Sequence, residues 1–200
     1  MSIYRSVPIQ SSSLPPGIGY IIGNEAAERF SFYGMRSILL AYMTMYLVQP
    51  NGEAQLFQEK EAEAWVHLFV GSAYFFPLIG GILADAYWGK YKTILSLSLF
   101  YCLGHGCLAL MGLVGDTKAW LMAGLVLIAI GSGGIKPCVS AHVGDQFNRR
   151  NHHLLSKVFG WFYFSINIGA FLSGLLTPFL LQATCEKGTL GAWIYPYVEF

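Results

Sequence analysis

The sequence AWLMAGLVLIAIGSGGIKPCVSAHV, residues 119–143, decides the fold class. It contains no acidic residue and one basic residue, Lys136. An α-helix of about 20 mostly apolar residues is long enough to cross the hydrocarbon core of a bilayer, which is about 30 Å thick. The stretch therefore predicts a membrane-spanning helix.

The composition of the whole 200-residue chain agrees with that prediction. Hydrophobic residues make up 54% and charged residues 12%, about half the charged share of soluble domains, and the mean hydropathy is +0.49. The net charge of +1 lacks the excess of positive charge that is typical of proteins binding DNA or RNA. The four cysteines form no CxxC pair, so neither a disulfide framework nor a zinc site is indicated. The composition predicts a membrane protein with several spans and excludes a nucleic-acid partner.

Five apolar stretches are long enough to span a membrane, and short polar turns separate them. They run over 19–48, 64–87, 93–114, 119–143 and 155–181. Residues 1–18 lack a long apolar core and are predicted to be a flexible cytoplasmic tail. Residues 19–182 then form five transmembrane helices. Residues 183–200 form an extracellular loop in which a sixth hydrophobic stretch barely begins, so the chain looks truncated.

Basic residues predict the orientation of the chain. One end of the five stretches carries six of them and the other end three. Cytoplasmic loops hold the excess of lysine and arginine, so the N-terminus is predicted to be cytoplasmic, in a plasma membrane or a cell inner membrane. The six are Arg5, Lys90, Lys92, Arg149, Arg150 and Lys157, and the three are Lys60, Lys118 and Lys187.

Four charged side chains interrupt the first stretch, namely Glu25, Glu28, Arg29 and Arg36. At about 2.5–3.5 kcal/mol for each charge at the bilayer centre, exposing all four to lipid would cost on the order of 10 kcal/mol. With a turn of about 100° per residue, they share one helix face with Tyr33. We expect this face to line an ion or substrate path, and ion pairs that only fix helix packing are the alternative.

A compensating cation, Lys136, follows the glycines of GSGGIKP in residues 131–137. A buried lysine needs a carboxylate partner, and glycines allow a second helix to approach closely. No strand precedes these glycines and no GK[ST] follows them, so a nucleotide site is not indicated. Cys102 and His105 are three residues apart, but no further ligand accompanies them, so no metal site is predicted.

Four segments in sequence order carry recognisable motifs. They are EAAERF with FYGMR in 25–36, GGILADAYWGKYKT in 80–93, GIKPCVS with GDQF in 134–147, and 159–171 with its Asn-Ile-Gly. The first resembles the ExxERF and YGMR signature of the proton-coupled oligopeptide transporters, a branch of the major facilitator superfamily. The others resemble that family's first cytoplasmic loop, fourth span and fifth span.

The resemblance implies roles for individual residues. Proton coupling falls on Glu25, Glu28, Arg29, Lys136 and the second-span His67, with Lys136 pairing with the glutamates. Arg36 receives the C-terminal carboxylate of a peptide. The remaining pocket residues are Tyr33, Tyr74, Tyr163 and Asn167, and the cytoplasmic gating loop holds Asp85, Gly89 and Lys90. Phe32 stands where members often carry a tyrosine, which bears on peptide selectivity.

The resemblance implies an all-α membrane protein, the N-terminal part, with about five transmembrane helices, of a major facilitator superfamily bundle. Its expected function is proton-driven symport of di- and tripeptides, with protons as the coupling ion, no cofactor and no metal. Membrane lipid and the missing remainder of the transporter are further partners. An enzyme is not expected, because no nucleophile with a base is found.

Two other functions remain open from the sequence. One is a proton-coupled symporter of another small anion such as nitrate. The other is a non-transporting truncated membrane fragment. Since five helices provide less than one six-helix half of such a transporter, we expect residues 1–200 alone not to transport.

Overall fold

The computed structural model describes residues 7–185, with side chains described as far as residue 181. The described chain forms five long helices: α1 Ile18–Ala41, α2 Glu59–Leu83, α3 Lys90–Ala109, α4 Thr117–Asp145 and α5 Leu155–Cys185. Short π-helical segments continue α1 over Tyr42–Tyr46 and α2 over Ala84–Trp88, and a 3-10 turn at His152–Leu154 precedes α5. Residues 183–185, where the sequence predicts the start of the extracellular loop, still belong to α5. The rest of that loop and the sixth hydrophobic stretch lie outside the described residues, from 186 onwards.

Four of the described helical segments are long and apolar enough to cross a membrane. They are Glu59–Trp88, Lys90–Ala109, Thr117–Asp145 and His152–Leu181. With 24 residues, α1 is also long enough, but it carries the four charged side chains. Just beyond α1, the carbonyl oxygen of Val48 accepts a hydrogen bond of 2.9 Å from Thr117 Oγ1 at the start of α4. This contact supports treating α1 as the fifth span, running antiparallel to α4.

Helix α4 lies between α2 and α3, whereas α1 packs mainly against α5. Glycines allow the close packing of α4. A Cβ atom on Gly80 of α2 would overlap the backbone of Gly134, and one on Gly131 would lie 2.8 Å from the carbonyl oxygen of Leu97 in α3. Backbone-to-backbone approach of this kind is typical of small-residue interfaces between membrane helices. It makes α4 the central helix of the described chain.

Helix α3 ends at Ala109, which corrects the predicted boundary at Val114. Gly112 and Gly115 adopt φ angles of 66° and 67°, a region that favours glycine and is incompatible with a continuing right-handed helix. Backbone N–H of Gly112 donates to Thr117 Oγ1 over 3.1 Å. Because these residues are apolar or small, hydropathy alone extended the helix too far.

The described part of the N-terminal tail is docked, which corrects the flexible tail predicted from the sequence. Asn148 Nδ2 donates to the carbonyl oxygens of Ile9 and Ser11 over 2.6 and 3.1 Å, and Asn151 Nδ2 donates to that of Ser13 over 3.1 Å. Both asparagines are buried. This docking is not visible in the sequence, because the tail contributes backbone carbonyls rather than apolar side chains. We call the end of the bundle that holds this tail, Lys90, Lys92, Arg149 and Arg150 the basic end.

Candidate functional site

A buried ion cluster lies in the middle of α1. Arg29 Nε lies 3.2 Å from Glu25 Oε1, and Arg29 Nη2 forms a second ion pair with Glu28 Oε2. The exposed fractions of Glu25 and Arg29 are 6% and 3%. Buried charges of this kind are tolerated only when they are paired. One guanidinium therefore compensates two carboxylates, and removing any of the three changes the charge balance of the cluster.

The second carboxylate oxygen of Glu28 has a distinct environment. Glu28 Oε1 is buried and accepts no hydrogen bond from the residues that the structure describes. A buried polar atom without a partner is costly, and a charged one more so. Glu28 therefore has one oxygen in the ion pair with Arg29 and one oxygen without a hydrogen-bond partner in the described chain.

Helix α4 contributes a hydrogen bond to the cluster. Arg29 Nη2 donates to Ser132 Oγ over 3.2 Å, and Ser132 is fully buried. Ser132 lies within the glycine motif, and no contact of Ser132 with the α1 charges is predicted from the sequence. Its spacing could have indicated one, since Ser132 precedes Lys136 by four residues and so lies on the same helix face.

Lys136 does not form the direct carboxylate pair predicted for it. Within the described residues no ion pair joins its ammonium to an acidic side chain, because Arg29 already occupies both glutamates. Lys136 Nζ instead lies 5.4 Å from the ring centre of Phe32 and 5.1 Å from that of Tyr74. Lys136 therefore borders the cluster without an ion pair in the described chain.

Phe32 lies beside both cations. The Arg29 guanidinium lies 5.4 Å from the centre of the Phe32 ring, the same distance as Lys136 Nζ. Cations over an aromatic face are attracted by its quadrupole. The ring therefore makes a cation–π contact with each of the two like charges. In the sequence, Phe32 stands out only as a departure from the family pattern.

Helix α3 supports the cluster with two residues that sequence reasoning did not assign to it. Tyr101 donates its hydroxyl to the carbonyl oxygen of Glu28 over 3.4 Å. His105 Nε2 and Ser31 Oγ are hydrogen-bonded over 3.2 Å, and the His105 and Tyr101 rings meet edge to face at 4.5 Å. Within the described residues no group of three or more His, Cys, Asp or Glu side chains could hold a metal ion. His105 is part of helix packing beside the cluster.

The predicted peptide-contacting residues near α1 lie at the edge of this cluster. Tyr33 packs edge to face on Phe32 at 5.6 Å, and Tyr74 lies beside Lys136. Arg36 is exposed, and no hydrogen bond or ion pair links it to the described part of the chain. Its charge acts on Lys136. The face shared by the α1 charges is thus buried at Glu25 and Arg29 and open at Arg36.

The other predicted residues of the substrate and coupling sites lie on exposed helix faces. Asn167 and Tyr163 belong to α5, where Asn167 Nδ2 donates to the carbonyl oxygen of Tyr163 over 2.7 Å. The Tyr163 ring stacks on Phe159 at 6.3 Å. His67 is exposed on α2. The contacts of the described residues do not bring His67, Tyr163 or Asn167 into the α1 cluster.

The predicted gating residues lie at the basic end. Lys90 Nζ donates to Asp145 Oδ2 over 2.7 Å and so joins the start of α3 to the end of α4. Gly89 begins α3 with a φ of 76°, which a side chain would strain. Asp85 is exposed on the π-helical segment. These residues can tie helix ends together, and none of them contacts the α1 cluster.

Comparison with known proteins identifies relatives of this chain. The model of the PTR2 (POT) family matches residues 91–191. "Peptide transporter family 1" of Drosophila melanogaster is 47% identical over 172 residues, covering 83% of this chain and 22% of the fly protein. "Solute carrier family 15 member 2" of Homo sapiens is 40% identical over 180 residues, covering 88% of this chain and 24% of the human protein.

Solved structures give the same result. The crystal structure of the POT family transporter PepTSo superimposes with a TM-score of 0.81 and 43% identity, covering 94% of this chain and 35% of that one. A POT family transporter in complex with a thioalcohol-conjugated peptide has a TM-score of 0.73 and 27% identity, covering 97% and 39% of the two chains. The predicted all-α membrane fold is confirmed. The chain spans about a quarter of the length of these curated relatives and just over a third of the solved chains.

Proposed function

The chain belongs to the POT family, and from that premise we propose that it supplies the proton-coupling helices of a symporter for di- and tripeptides. The family resemblance found in the sequence is thereby confirmed, and it places the chain among transporters. The symport activity is our proposal for the complete protein, because this chain spans less than two fifths of the relatives described above.

The observation that supports proton coupling most strongly is the buried triad of Glu25, Glu28 and Arg29. Ionisable residues inside a membrane span mark proton or substrate paths by default, and here two carboxylates share one guanidinium. A proton on Glu28 would remove the carboxylate charge that holds Arg29. Arg29 would keep Glu25 and Ser132 as partners, and its packing against α4 would change.

Lys136 gives the triad a second possible arrangement. Since it borders the triad without an ion pair in the described chain, a glutamate released by Arg29 can pair with it. Protonation would then shift charge pairing between α1 and α4, the two helices that carry these groups. An inward proton releases about 2.3 kcal/mol per 100 mV of membrane potential, and this energy would drive uptake against a gradient.

The peptide contacts follow from side-chain chemistry. Arg36 is exposed and unpaired within the described residues, and a guanidinium binds both oxygens of a carboxylate through its fork. It would receive the C-terminal carboxylate, with the hydroxyls of Tyr33, Tyr74 and Tyr163 and the amide of Asn167 as partners of peptide groups. Several relatives are named peptide transporters, and one solved structure holds a peptide conjugate. Both observations favour a peptide over nitrate as the proposed substrate.

The basic residues support an orientation with the N-terminus in the cytoplasm. Lys90, Lys92, Arg149 and Arg150 lie together at the basic end, and Lys118 lies at the other end, beside Phe57. The excess of positive charge would face the cytoplasm of a plasma or inner membrane. Asp85, Gly89 and Lys90 would then act at the cytoplasmic face, where Lys90 ties α3 to α4 through Asp145.

The test is uptake of a labelled dipeptide by the complete transporter in proteoliposomes with an acidic exterior and a negative interior. We expect accumulation above the external concentration and its loss when a protonophore collapses the gradient. Labelled nitrate in a parallel assay should not accumulate. Dipeptide accumulation that persists with the protonophore would contradict proton coupling, and nitrate accumulation without dipeptide uptake would contradict the peptide substrate.

A second assay tests the role of Arg36. Dipeptides and their C-terminal amides should compete unequally with the labelled substrate, because only the free carboxylate can engage the guanidinium fork. In Arg36→Lys, which keeps the charge but loses the fork, this preference should weaken. Equal competition by both compounds in the wild type would assign Arg36 another role.

A further inference from the structure

The docked tail and the loop between α4 and α5 form a charged groove that the transport mechanism does not use. We propose that this groove binds the phosphate of an anionic phospholipid. The proposal rests on four features of the basic end: its charge, its groove, its two buried asparagines and its place between two membrane-spanning helices. It stands independently of the proposed peptide symport.

The charge of the loop is one-sided. Arg149, Arg150, His152 and His153 are all exposed, and residues 146–185 contain no aspartate or glutamate. The preceding acidic residue, Asp145, is paired with Lys90 at 2.7 Å. Neither arginine side chain has a hydrogen bond or ion pair to another residue in 7–185. The loop therefore presents cations whose charge is not compensated by the described chain.

The groove gives this charge a defined shape. It has a volume of about 590 Å³ and lies between the tail and the loop. Its lining combines Arg149 and His152 with the amides of Gln10 and Asn148 and the apolar Pro8 and Phe147. A guanidinium fork suits two phosphate oxygens, and the N–H groups of the Gln10 amide and the His152 imidazole can donate to others. The apolar wall suits the glycerol part of a lipid rather than a free ion.

Two buried asparagines build the groove. Asn148 and Asn151 hold the tail carbonyls, and Asn151 Oδ1 accepts the backbone N–H of Asn148 over 2.8 Å. Asn148 Oδ1 in turn accepts the backbone N–H of Arg150 over 2.6 Å. The tail wall, with Pro8 and Gln10, therefore stays beside Arg149 only while these amides are in place. Because neither asparagine carries a charge, substituting one of them changes the shape of the groove without changing its net charge.

The place of the loop favours lipid as the occupant. Helix α4 ends at Asp145, and the next membrane-spanning segment begins at His152, so the loop lies at the membrane surface. About one and a half helical turns after His152, Lys157 Nζ lies 5.1 Å from the centre of the Trp161 ring. Lysine and tryptophan are typical of the interface between membrane and water. Basic clusters beside a span attract anionic lipids by about 1 kcal/mol per Lys or Arg.

The experiment measures lipid retention by the complete transporter. The protein is reconstituted in nanodiscs of phosphatidylcholine with phosphatidylglycerol, extracted in mild detergent, and its bound lipids are counted by native mass spectrometry. We expect wild type to retain phosphatidylglycerol in preference to phosphatidylcholine. Arg149→Ala should lower that retention by more than about tenfold, since it removes a charge-assisted contact to the phosphate. Arg150→Ala, the matched control outside the groove, should lower it by about fivefold or less.

Uncharged variants separate the groove from general attraction. Asn148→Ala and Gln10→Ala keep the net charge and should both reduce retention, the first by releasing the tail and the second by removing an amide donor. Gln10 lies in the exposed tail, so its variant remains informative even if Asn148→Ala fails to fold. Unchanged retention in Gln10→Ala together with equal losses in Arg149→Ala and Arg150→Ala would overturn the proposal in favour of diffuse surface charge.

A further arm distinguishes lipid from free phosphate. Inorganic phosphate at millimolar concentration, added before extraction, should leave the retained phosphatidylglycerol unchanged, because it lacks the apolar part that contacts Pro8 and Phe147. Displacement of the lipid by inorganic phosphate would show a site for the free anion and would contradict the assignment to phospholipid.

Discussion

The charged middle of α1 and the polar faces of α2 and α5 differ in whether their interaction partners belong to the described chain. Glu25, Glu28 and Arg29 are paired with one another and with Ser132 of α4, and they are nearly inaccessible to solvent. His67 and Asn167, by contrast, lie on exposed faces with no described helix opposite them. Both regions carry side chains that are costly to expose to lipid. Only the first has its partners in the described chain.

Under the proposed function, this difference corresponds to two tasks. The triad would exchange the proton within the helices described here. The exposed residues would bind the substrate between this bundle and another surface, as in transporters built from two six-helix halves with the substrate held between them. The following predictions test the contrast between the paired region and the open one, in decreasing order of expected effect.

The largest effect on stability is expected from Arg29→Leu. It leaves two buried carboxylates without their cation, and breaking a buried pair in this way costs about 3–5 kcal/mol. Thermal unfolding in detergent, followed by loss of the monodisperse peak on size exclusion, measures the change. Arg36→Leu is the matched control and should shift stability by no more than about 0.5 kcal/mol, because Arg36 is exposed. Equal losses of stability in both variants would contradict the distinction between the paired region and the open one.

A smaller loss is expected from Ser132→Ala. It removes the hydroxyl that accepts from Arg29, and hydrogen bonds to charged groups contribute about 1.5–3 kcal/mol. Ser140→Ala on the same helix is the control, since Ser140 Oγ donates only within α4, to carbonyl oxygens of its own helix. The same unfolding assay applies. If Ser140→Ala proves as destabilising as Ser132→Ala, the contact between α4 and the triad has no special weight.

At the border between the two regions, Tyr74 tests whether its ring stabilises Lys136. Tyr74→Leu removes the aromatic face, and a cation–π contact at such an exposed position is worth about 0.5–1 kcal/mol. Tyr74→Phe keeps the face and should retain that contribution. Equal unfolding temperatures for the Leu and Phe variants would mean that Lys136 is held by other contacts.

The smallest effect concerns Asp116, an exposed group outside the spans. A hydrogen bond of 2.5 Å from Gln55 Nε2, with a second of 3.1 Å from the backbone N–H of Ala119, lowers the pKa of Asp116. A lowered folded-state pKa stabilises the fold fully above the unfolded value near 3.9 and ceases to do so as pH falls through the folded value.

Asp116→Asn should therefore be less stable than wild type at about pH 7, and the difference should narrow as the pH falls below about 4. Unfolding curves of both proteins at the two pH values measure this. A difference that widens on acidification would mean that the sign of the shift is wrong.

The helices were predictable from the sequence because hydropathy and length act locally. Stretches such as 119–143 lie within the observed helices, whereas Gly112 and Gly115 ended α3 early through backbone angles that hydropathy does not report. The docked tail was missed for a similar reason. Its contacts are made by backbone carbonyls of Ile9, Ser11 and Ser13, which any sequence would offer.

The candidate site was predictable only in part. Glu25 and Arg29 are four residues apart, and helix spacing predicted that they share one face of α1, where the structure shows them paired. The absence of an ion pair for Lys136 in the described chain was not predictable, because the distance of Lys136 from the glutamates depends on how α4 packs against α1, and Arg29 on α1 itself already pairs with both. Tyr101 and His105 come from a helix with no charged motif, so no local pattern indicated them. The roles of His67, Tyr163 and Asn167 remain predictions.

The most direct test of the division between coupling and binding compares Glu28→Gln with Arg36→Ala in the complete transporter, each assayed for uphill dipeptide accumulation and for dipeptide exchange without a gradient. Glutamine keeps the size of Glu28 but cannot exchange a proton, so this variant should lose accumulation and retain exchange. Arg36→Ala should lose both, since it removes the carboxylate receptor. Normal uphill accumulation in Glu28→Gln would contradict the account.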